Sequence, residues 1–509
     1  MKTPRPKRNE VKPVRTVAIM MAITIIGKIM GLLRDSMQAA QFGGDTPEAI
    51  AFAQAVFLPN TFLDIMFAAA FSASFIPVFS GFLTNKGKEA AFNLAALFIS
   101  VVAVLTAGVT VVSVIFAQPI LTLSLGSDPV PYGTIAMGVT LLRIMFPLMI
   151  LSGLAFSFTG ILQSLGEFRL PAAMSIVSNG VILIYYFFFI DRFGVYGLAV
   201  AFLLGWAAQG AIQLPFLLKH KFKYRFSLNL KDPSLRQIGK LALPVMISSW
   251  VVPINIAVNV MAAQGEFGVT SIHFANRLFA IISGVFILSV TNVIFPKMSR
   301  QAAEGDLSGF SETVNETVRV LLFFLLPLTL GLVALSQPLV GLILGWGDFC
   351  ENAVHATGTA LRYFAIGVVG FGIFAVLSRA CYARLDGRTP ITAAVVAIGA
   401  NAAFSFLIEP ALANAISQLL GAMVLVIVLT AKDILKWPMS TIFDLAKMAV
   451  IAAVMFAAVY VSAGYVAYAH VILQVGVPAI IGVMVYIGLA AVIRIKEMRW
   501  VLTRGKTTL

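Results

Sequence analysis

The stretch Gly27-Lys28-Ile29-Met30-Gly31-Leu32-Leu33-Arg34-Asp35 places three charges inside a run that otherwise reads as the first membrane-crossing helix. A charge at the bilayer centre costs about 2.5 to 3.5 kcal/mol on insertion scales, so such residues face a bundle interior or a watery cavity. Lys28 and Asp35 are seven residues apart and share a helix face, while Arg34 lies about 100° round from Asp35. A wide polar stripe therefore runs down one side. The purely structural alternative has Lys28 reaching for the interface and Arg34 paired with Asp35 or capping the helix end.

Around this stretch the chain is overwhelmingly apolar. Of 509 residues 60% are hydrophobic and 11% charged, and the mean hydropathy is +0.95, which excludes an ordinary soluble protein. Fourteen runs fit as membrane-crossing helices, at 15–41, 49–82, 89–118, 132–162, 171–190, 195–218, 237–263, 269–298, 311–335, 355–383, 390–409, 411–431, 443–466 and 470–494. Each is long enough to cross a hydrocarbon core of about 30 Å. The expected fold class is thus an all-α integral membrane protein with about fourteen transmembrane helices.

The positive charges follow the topology. Lys2, Arg5, Lys7, Arg8, Lys12 and Arg15 precede or open the first run, which reads as an uncleaved anchor because its apolar part carries Lys28 and Arg34. Lys86, Arg169, the basic run over 219–240, Lys297, Arg384, Lys432 and Arg494 then fall in loops on one side. The opposite loops hold Asp45, Glu48, Asp128, Asp191, Glu266, Asp348, Glu351 and Glu409 against Arg192 alone, so the positive-inside rule puts both termini in the cytoplasm. A formal charge of +14 is explained this way and does not call for nucleic acid.

The chain also repeats itself. The segments 143–171 and 362–390 align at an offset of 219 residues, pairing Arg143 with Arg362, Gly153 with Gly372, Glu167 with Asp386, Arg169 with Arg388 and Pro171 with Pro390. Pro77 and Ser80 pair with Pro296 and Ser299 at the same offset. Six runs lie in each copy, so the halves keep one orientation and should be related by an axis along the membrane normal. The expected organisation is a basic tail (1–14), an N-lobe (15–218), a basic linker (219–236), a C-lobe (237–431), and a last helix pair with a basic tail (432–509). Leu58-Pro59-Asn60, Pro253-Ile254-Asn255 and Phe295-Pro296 interrupt helices in the first two runs of each lobe, where bending or a static kink would free backbone groups.

Further charges fall in or near the runs: Asp64, Arg143, Arg277, Arg319, Arg362 and Arg379. With Lys28 and Arg34, Arg277 makes a central cavity net positive even with Asp35 and Asp64 present, and an arginine fork suits phosphate oxygens. The cavity is fitted to an anion such as a phosphate or pyrophosphate. Arg143 and Arg362 read as structural partners of a loop or lobe. His273, one turn before Arg277, is more often a packing residue than a proton carrier. Enzyme chemistry is disfavoured, since acids in the runs are few and scattered and His220, His273, His355 and His470 form no ligand spacing. No metal, cofactor or nucleotide-binding motif is present, and Cys350 and Cys381 fall on opposite sides of the membrane.

Several of these pieces together resemble one family. They are Gly31-Leu32-Leu33-Arg34-Asp35, Leu58-Pro59-Asn60, Ala70-Phe71-Ser72 with Phe75-Ile76-Pro77, Asn276-Arg277-Leu278, Phe295-Pro296, and Tyr382-Ala383-Arg384 through Asp386 to Thr389-Pro390. The pattern is similar to that of the MurJ (MviN) lipid II flippases of the multidrug/oligosaccharidyl-lipid/polysaccharide exporter superfamily. The resemblance implies two six-helix lobes around a cavity, two C-terminal helices lining a groove for a lipid tail, and alternating access in a bacterial inner membrane. The cargo implied is an undecaprenyl-pyrophosphate-linked peptidoglycan precursor, carried from the cytoplasmic to the periplasmic leaflet. Arg34 and Arg277 stand at positions of the family's essential cavity arginines, Lys28 where another arginine is common, and Asp35 follows the pattern. Asn276 replaces an acid, Ile50 replaces another, and Leu63-Asp64 and Ala68-Ala69 stand where the family often carries arginines and a Glu-Gly. A related polyprenyl-linked glycan, or a drug or cation exporter of the same superfamily, is therefore the alternative. The site residues expected to meet substrate are Lys28, Arg34, Asp35, Asp64, Asn276 and Arg277, with Arg34 and Arg277 approaching across the lobe interface. Partners expected are the lipid-linked glycan, membrane lipids and the cell-wall synthesis machinery, for a chain that acts as a monomer without nucleic acid.

Overall fold

A computed structural model describes residues 13–66, 74–126, 129–265 and 267–498. The basic residues before Pro13 and after Met498, with Asp128 and Glu266, lie outside the described residues. So do the Ala68-Ala69 pair and the Ala70-Phe71-Ser72 motif. In chain order the helices are α1 (Pro13–Phe42), α2 (Pro47–Met66), α3 (Ile76–Asn85), α4 (Gly87–Ile115), α5 (Ala117–Leu125), α6 (Thr134–Met145), α7 (Leu148–Ser164), α8 (Arg169–Phe188), α9 (Ile190–Ala211) and α10 (Leu214–Lys219). They continue as α11 (Pro233–Ser249), α12 (Val251–Ala262), α13 (Gly268–Glu304), α14 (Leu307–Leu344), α15 (Glu351–Ala383), α16 (Arg388–Phe404), α17 (Pro410–Ala431), α18 (Met439–Tyr465) and α19 (Val471–Val492). No strand occurs among the described residues.

Among the described residues nine helical segments are long and apolar enough to cross a membrane. They coincide with the third to sixth, ninth, tenth and twelfth to fourteenth expected runs. The other five carry charge or breaks. α1 holds Lys28, Arg34 and Asp35, α13 holds Arg277, the second run is described only in part, the seventh is divided at Trp250 into α11 and α12, and α16 has 17 residues. In α1 and α13 the sequence sets charged groups into apolar surroundings, which membrane helices tolerate where protein or a watery cavity meets them.

The chain divides into two compact units. The first comprises residues 1–37, 54–120 and 136–246, and the second residues 38–53, 121–135 and 247–509. In the first, Phe75, Phe79, Phe92 and Phe98 form a buried aromatic core, with the Phe75 and Phe98 rings stacked at 4.4 Å. Phe222, from the basic run, sets its ring edge-on against Phe92 at 5.3 Å, and Tyr224 shares a 3.0 Å hydrogen bond with Ser100 in α4. Ile238 of α11 joins the same core, which is why the first unit continues past the basic run.

In the second unit α14 packs against α13, α15, α18 and α19. Asp306 caps its start by accepting from the Gly309 N–H at 2.9 Å, filling one of the donors a helix N-terminus leaves open. The α18–α19 hairpin lies against it, with the Tyr486 hydroxyl donating to the Phe323 carbonyl at 2.7 Å. Asp444 of α18 and Glu497 beyond α19 both approach Arg319 of α14, at 3.8 Å and 3.1 Å.

The internal duplication is visible bond by bond. A Cβ at Gly153 would stand 3.0 Å from Val102 and 3.2 Å from Thr106, and one at Gly372 would meet Leu321 at 3.1 Å and Leu325 closer still. Those neighbours are themselves 219 residues apart, pair by pair. The turns that follow match as well: Glu167 N donates to Leu162 O, and Asp386 N to Cys381 O, each at 2.9 Å. The residue before each donor takes the left-handed conformation, Gly166 at φ +87° and Leu385 at φ +59°. Glycine does this without a Cβ penalty; leucine does it at a cost that the repeated hydrogen bonds offset.

Candidate functional site

The polar stripe of α1 is organised by α8. Gly27 and Gly31 sit one turn apart, and a Cβ on them would come within 3.1 Å of Ser175 and 3.4 Å of the Asn179 amide nitrogen. Small residues at this spacing let two helix backbones approach closely in a membrane. Asn179 uses the approach: its Nδ2 donates to the Gly27 carbonyl at 3.2 Å, and its Oδ1 accepts from Arg34 Nη1 at 2.9 Å. Arg34 also donates from Nε at 3.1 Å and from Nη2 at 2.8 Å to Asp35 Oδ1. Its guanidinium carbon lies 5.3 Å from the centroid of the Phe202 ring in α9. The Arg34 side chain is 12% exposed and that of Asp35 5%, so the pair is held inside the first unit as a compensated charge.

Of the residues expected to meet substrate, Arg34 and Asp35 are brought together and Lys28 is exposed. The side chain of Asp64 lies outside the described residues. Asn276 and Arg277 are half-buried on α13 in the second unit. There Thr270 Oγ1, in the first turn of α13, donates to the Gly44 carbonyl in the turn after α1, and Asp348 N, between α14 and α15, donates to the Ala40 carbonyl near the end of α1 at 2.8 Å. Gly43, at φ +68°, leaves a Cβ-sized gap 2.9 Å from the Asp348 carbonyl that no other residue would respect. Arg362 Nε donates to Ser336 Oγ at 3.4 Å, Arg379 lies 5.8 Å over the Phe295 ring, and Arg143 is exposed.

Sequence reading missed Asn179 and its counterpart in the second unit. Asn401 Nδ2 donates to the Asn255 carbonyl at 3.1 Å, repeating the tie between the fifth and first helices of a lobe but with no arginine on its other face. The signal available was the placement of one asparagine inside the fifth run of each copy. Among the described residues no group of three or more His, Cys, Asp or Glu side chains converges as a metal site.

A multi-helix fold whose first helix carries a buried arginine paired in place is that of a polytopic membrane protein. The same fold occurs in a multidrug resistance MATE family transporter in an inward-facing conformation, which superposes with a TM-score of 0.65 at 16% identity, covering 81% of this chain and 98% of that one. A solved lipid II flippase MurJ in an inward closed conformation gives a TM-score of 0.79 at 21% identity over 94% of this chain and 98% of that chain. The family model described as lipid II flippase MurJ matches residues 39–484, and the chain belongs to that family. A probable lipid II flippase MurJ of Rhizobium meliloti is 26% identical over 475 residues, 89% of this chain and 88% of the relative. The lipid II flippase MurJ of Burkholderia cenocepacia is 26% identical over 75% of each chain.

Proposed function

We propose that this chain flips lipid II, the undecaprenyl-pyrophosphate-linked peptidoglycan precursor, from the cytoplasmic to the periplasmic leaflet of a bacterial inner membrane. The observation that carries the reading is the family match over residues 39–484. The transporter works by alternating access, with fourteen spans arranged as lobes over 15–218 and 237–431, the linker 219–236 between them and both termini in the cytoplasm. Arg34 and Arg277 recognise the pyrophosphate, with Lys28, Asp35, Asp64 and Asn276 around them. An arginine fork is matched to phosphate oxygens, and in low dielectric each charge-assisted hydrogen bond is worth more than in water. A substrate that binds one access state better shifts the population toward it, which is what a substrate-driven cycle requires. The chain acts as a monomer alongside the cell-wall synthesis machinery, and without a nucleotide site its cycle draws on an ion gradient or on the membrane potential, worth about 2.3 kcal/mol per charge per 100 mV.

The experiment is depletion of the protein followed by measurement of the leaflet in which the precursor accumulates. Accumulation in the cytoplasmic leaflet is expected. An unchanged leaflet distribution would rule flipping out, and accumulation of a different polyprenyl-linked glycan would reassign the cargo.

A further inference from the structure

We infer that Asn179 is a positioning residue that aims Arg34 at the anionic headgroup, an inference that rests on Arg34 being a substrate contact. Asn179 is 4% exposed, and a carboxamide in such surroundings is costly unless both ends are hydrogen-bonded. Both ends are used, and by different parts of the same neighbour. The amide nitrogen holds the backbone of α1 at Gly27, and the amide oxygen holds the Arg34 side chain almost two turns further along. One residue of α8 thus fixes the rotation of α1 and the direction of its guanidinium together.

The count of donors shows what this achieves. Arginine has five N–H groups in a rigid fork. Asp35 engages Nε and Nη2 and Asn179 engages Nη1, which leaves one N–H on each Nη without a partner among the described residues. Phosphate is recognised by such a pair of parallel donors. Asp35 alone, as the adjacent residue on the same helix, would leave the fork free to swing; the bond to Asn179, 145 residues away on α8, and the Phe202 ring beneath it remove that freedom. Asn401 supplies an internal comparison, because it ties α16 to the Asn255 carbonyl with no guanidinium attached.

The test uses the purified full-length chain in lipid nanodiscs and the binding of farnesyl pyrophosphate, with the melting temperature of each variant recorded. Asn179→Ala should weaken binding about tenfold, the scale of one hydrogen bond to a charged group. Arg34→Ala should weaken it at least as much, and the double variant should be no worse than Arg34→Ala, since residues acting through one another are not additive. Asn179→Ser keeps a short polar group against α1 but cannot reach Arg34, so it should lose affinity while its melting temperature stays close to that of the parent. Asn401→Ala should lower the melting temperature with little change in affinity. Full affinity in Asn179→Ala or Asn179→Ser, additive losses in the double variant, or equal losses from Asn179→Ala and Asn401→Ala would each overturn the assignment. Unchanged binding in Arg34→Ala would instead remove the substrate role of Arg34, and the positioning role with it.

Discussion

Gly153 and Gly372 perform one packing task twice: each opens a gap for two side chains of an earlier helix, Val102 and Thr106 of α4 in the first unit, Leu321 and Leu325 of α14 in the second. The chain therefore inherited a contact along with a sequence pattern. The neighbours differ in compliance. Val102 is β-branched and stiff at χ1, whereas Leu325 meets the gap with the end of a flexible side chain. Gly153→Leu and Gly372→Leu should each destabilise by about 1 to 3 kcal/mol through overpacking. Gly153→Ala should lower the melting temperature more than Gly372→Ala. Equal and negligible shifts for the two alanine variants would show that the close approach is not a constraint.

The duplication and the buried charge were legible in the sequence because both are local facts: a residue type recurring at a fixed offset, and an arginine inside an apolar run. The Gly27 and Gly31 spacing was equally visible, but nothing in the chain announces that Ser175 and Asn179 fill the space they leave. Partner choice across 145 residues is a tertiary decision. The same limit applies to the basic run after Lys219, which reads as a basic linker although Phe222 is 5% exposed and sits in the core of the first unit. Charge density dominates that stretch in sequence, while the interleaved aromatics decide where it lies.

Arg319 of α14 reaches Glu497 at 3.1 Å, and Glu497 is 3% exposed with its Oε2 lacking a hydrogen-bond partner among the described residues. The Nε–Oε1 approach is an ion contact outside hydrogen-bond geometry, since Arg319 Nε is itself without a hydrogen-bond partner there. Removing the cation leaves a buried carboxylate uncompensated, an effect of about 3 to 5 kcal/mol when a buried pair loses one member. Arg319→Ala should therefore loosen the α18–α19 hairpin, read as faster proteolysis in the 439–492 segment. Arg319→Ala with Glu497→Gln should recover much of the loss; a double variant no better than the single would show that the ion pair is not what holds the hairpin.

Asp386 makes the turn between α15 and α16 sensitive to acid. Burial alone would raise its carboxyl pKa, but hydrogen bonds from Lys432 Nζ at 2.8 Å, Thr389 Oγ1 at 2.7 Å and the Thr389 N–H at 3.1 Å outweigh burial and hold it at about 2. An aspartate in an unfolded chain titrates near 3.9, about two units higher. The folded pKa is the lower one, so the stabilisation is fully present above about pH 4 and is lost as pH falls toward 2. Melting temperature should decline across that interval, and Asp386→Asn should start lower at neutral pH and decline less. A variant profile parallel to that of the parent would mean other carboxylates set the acid response.

Arg34 is the residue on which transport should depend most. Its fork is engaged on three nitrogens by Asp35 and Asn179 and is only 12% exposed, so the structure spends a buried guanidinium where an apolar residue would pack the helix pair more cheaply. In complementation of a depleted strain, Arg34→Ala and Arg277→Ala should fail to support growth at normal membrane levels, whereas Arg143→Ala, whose side chain is exposed, should support it. Arg34→Lys should rescue in part. It keeps the charge, but an ammonium cannot hold Asp35 and Asn179 at once while presenting parallel donors to a phosphate. Growth of both Arg34→Ala and Arg277→Ala at normal expression, with failure of Arg143→Ala, would move the anion site away from α1 and α13.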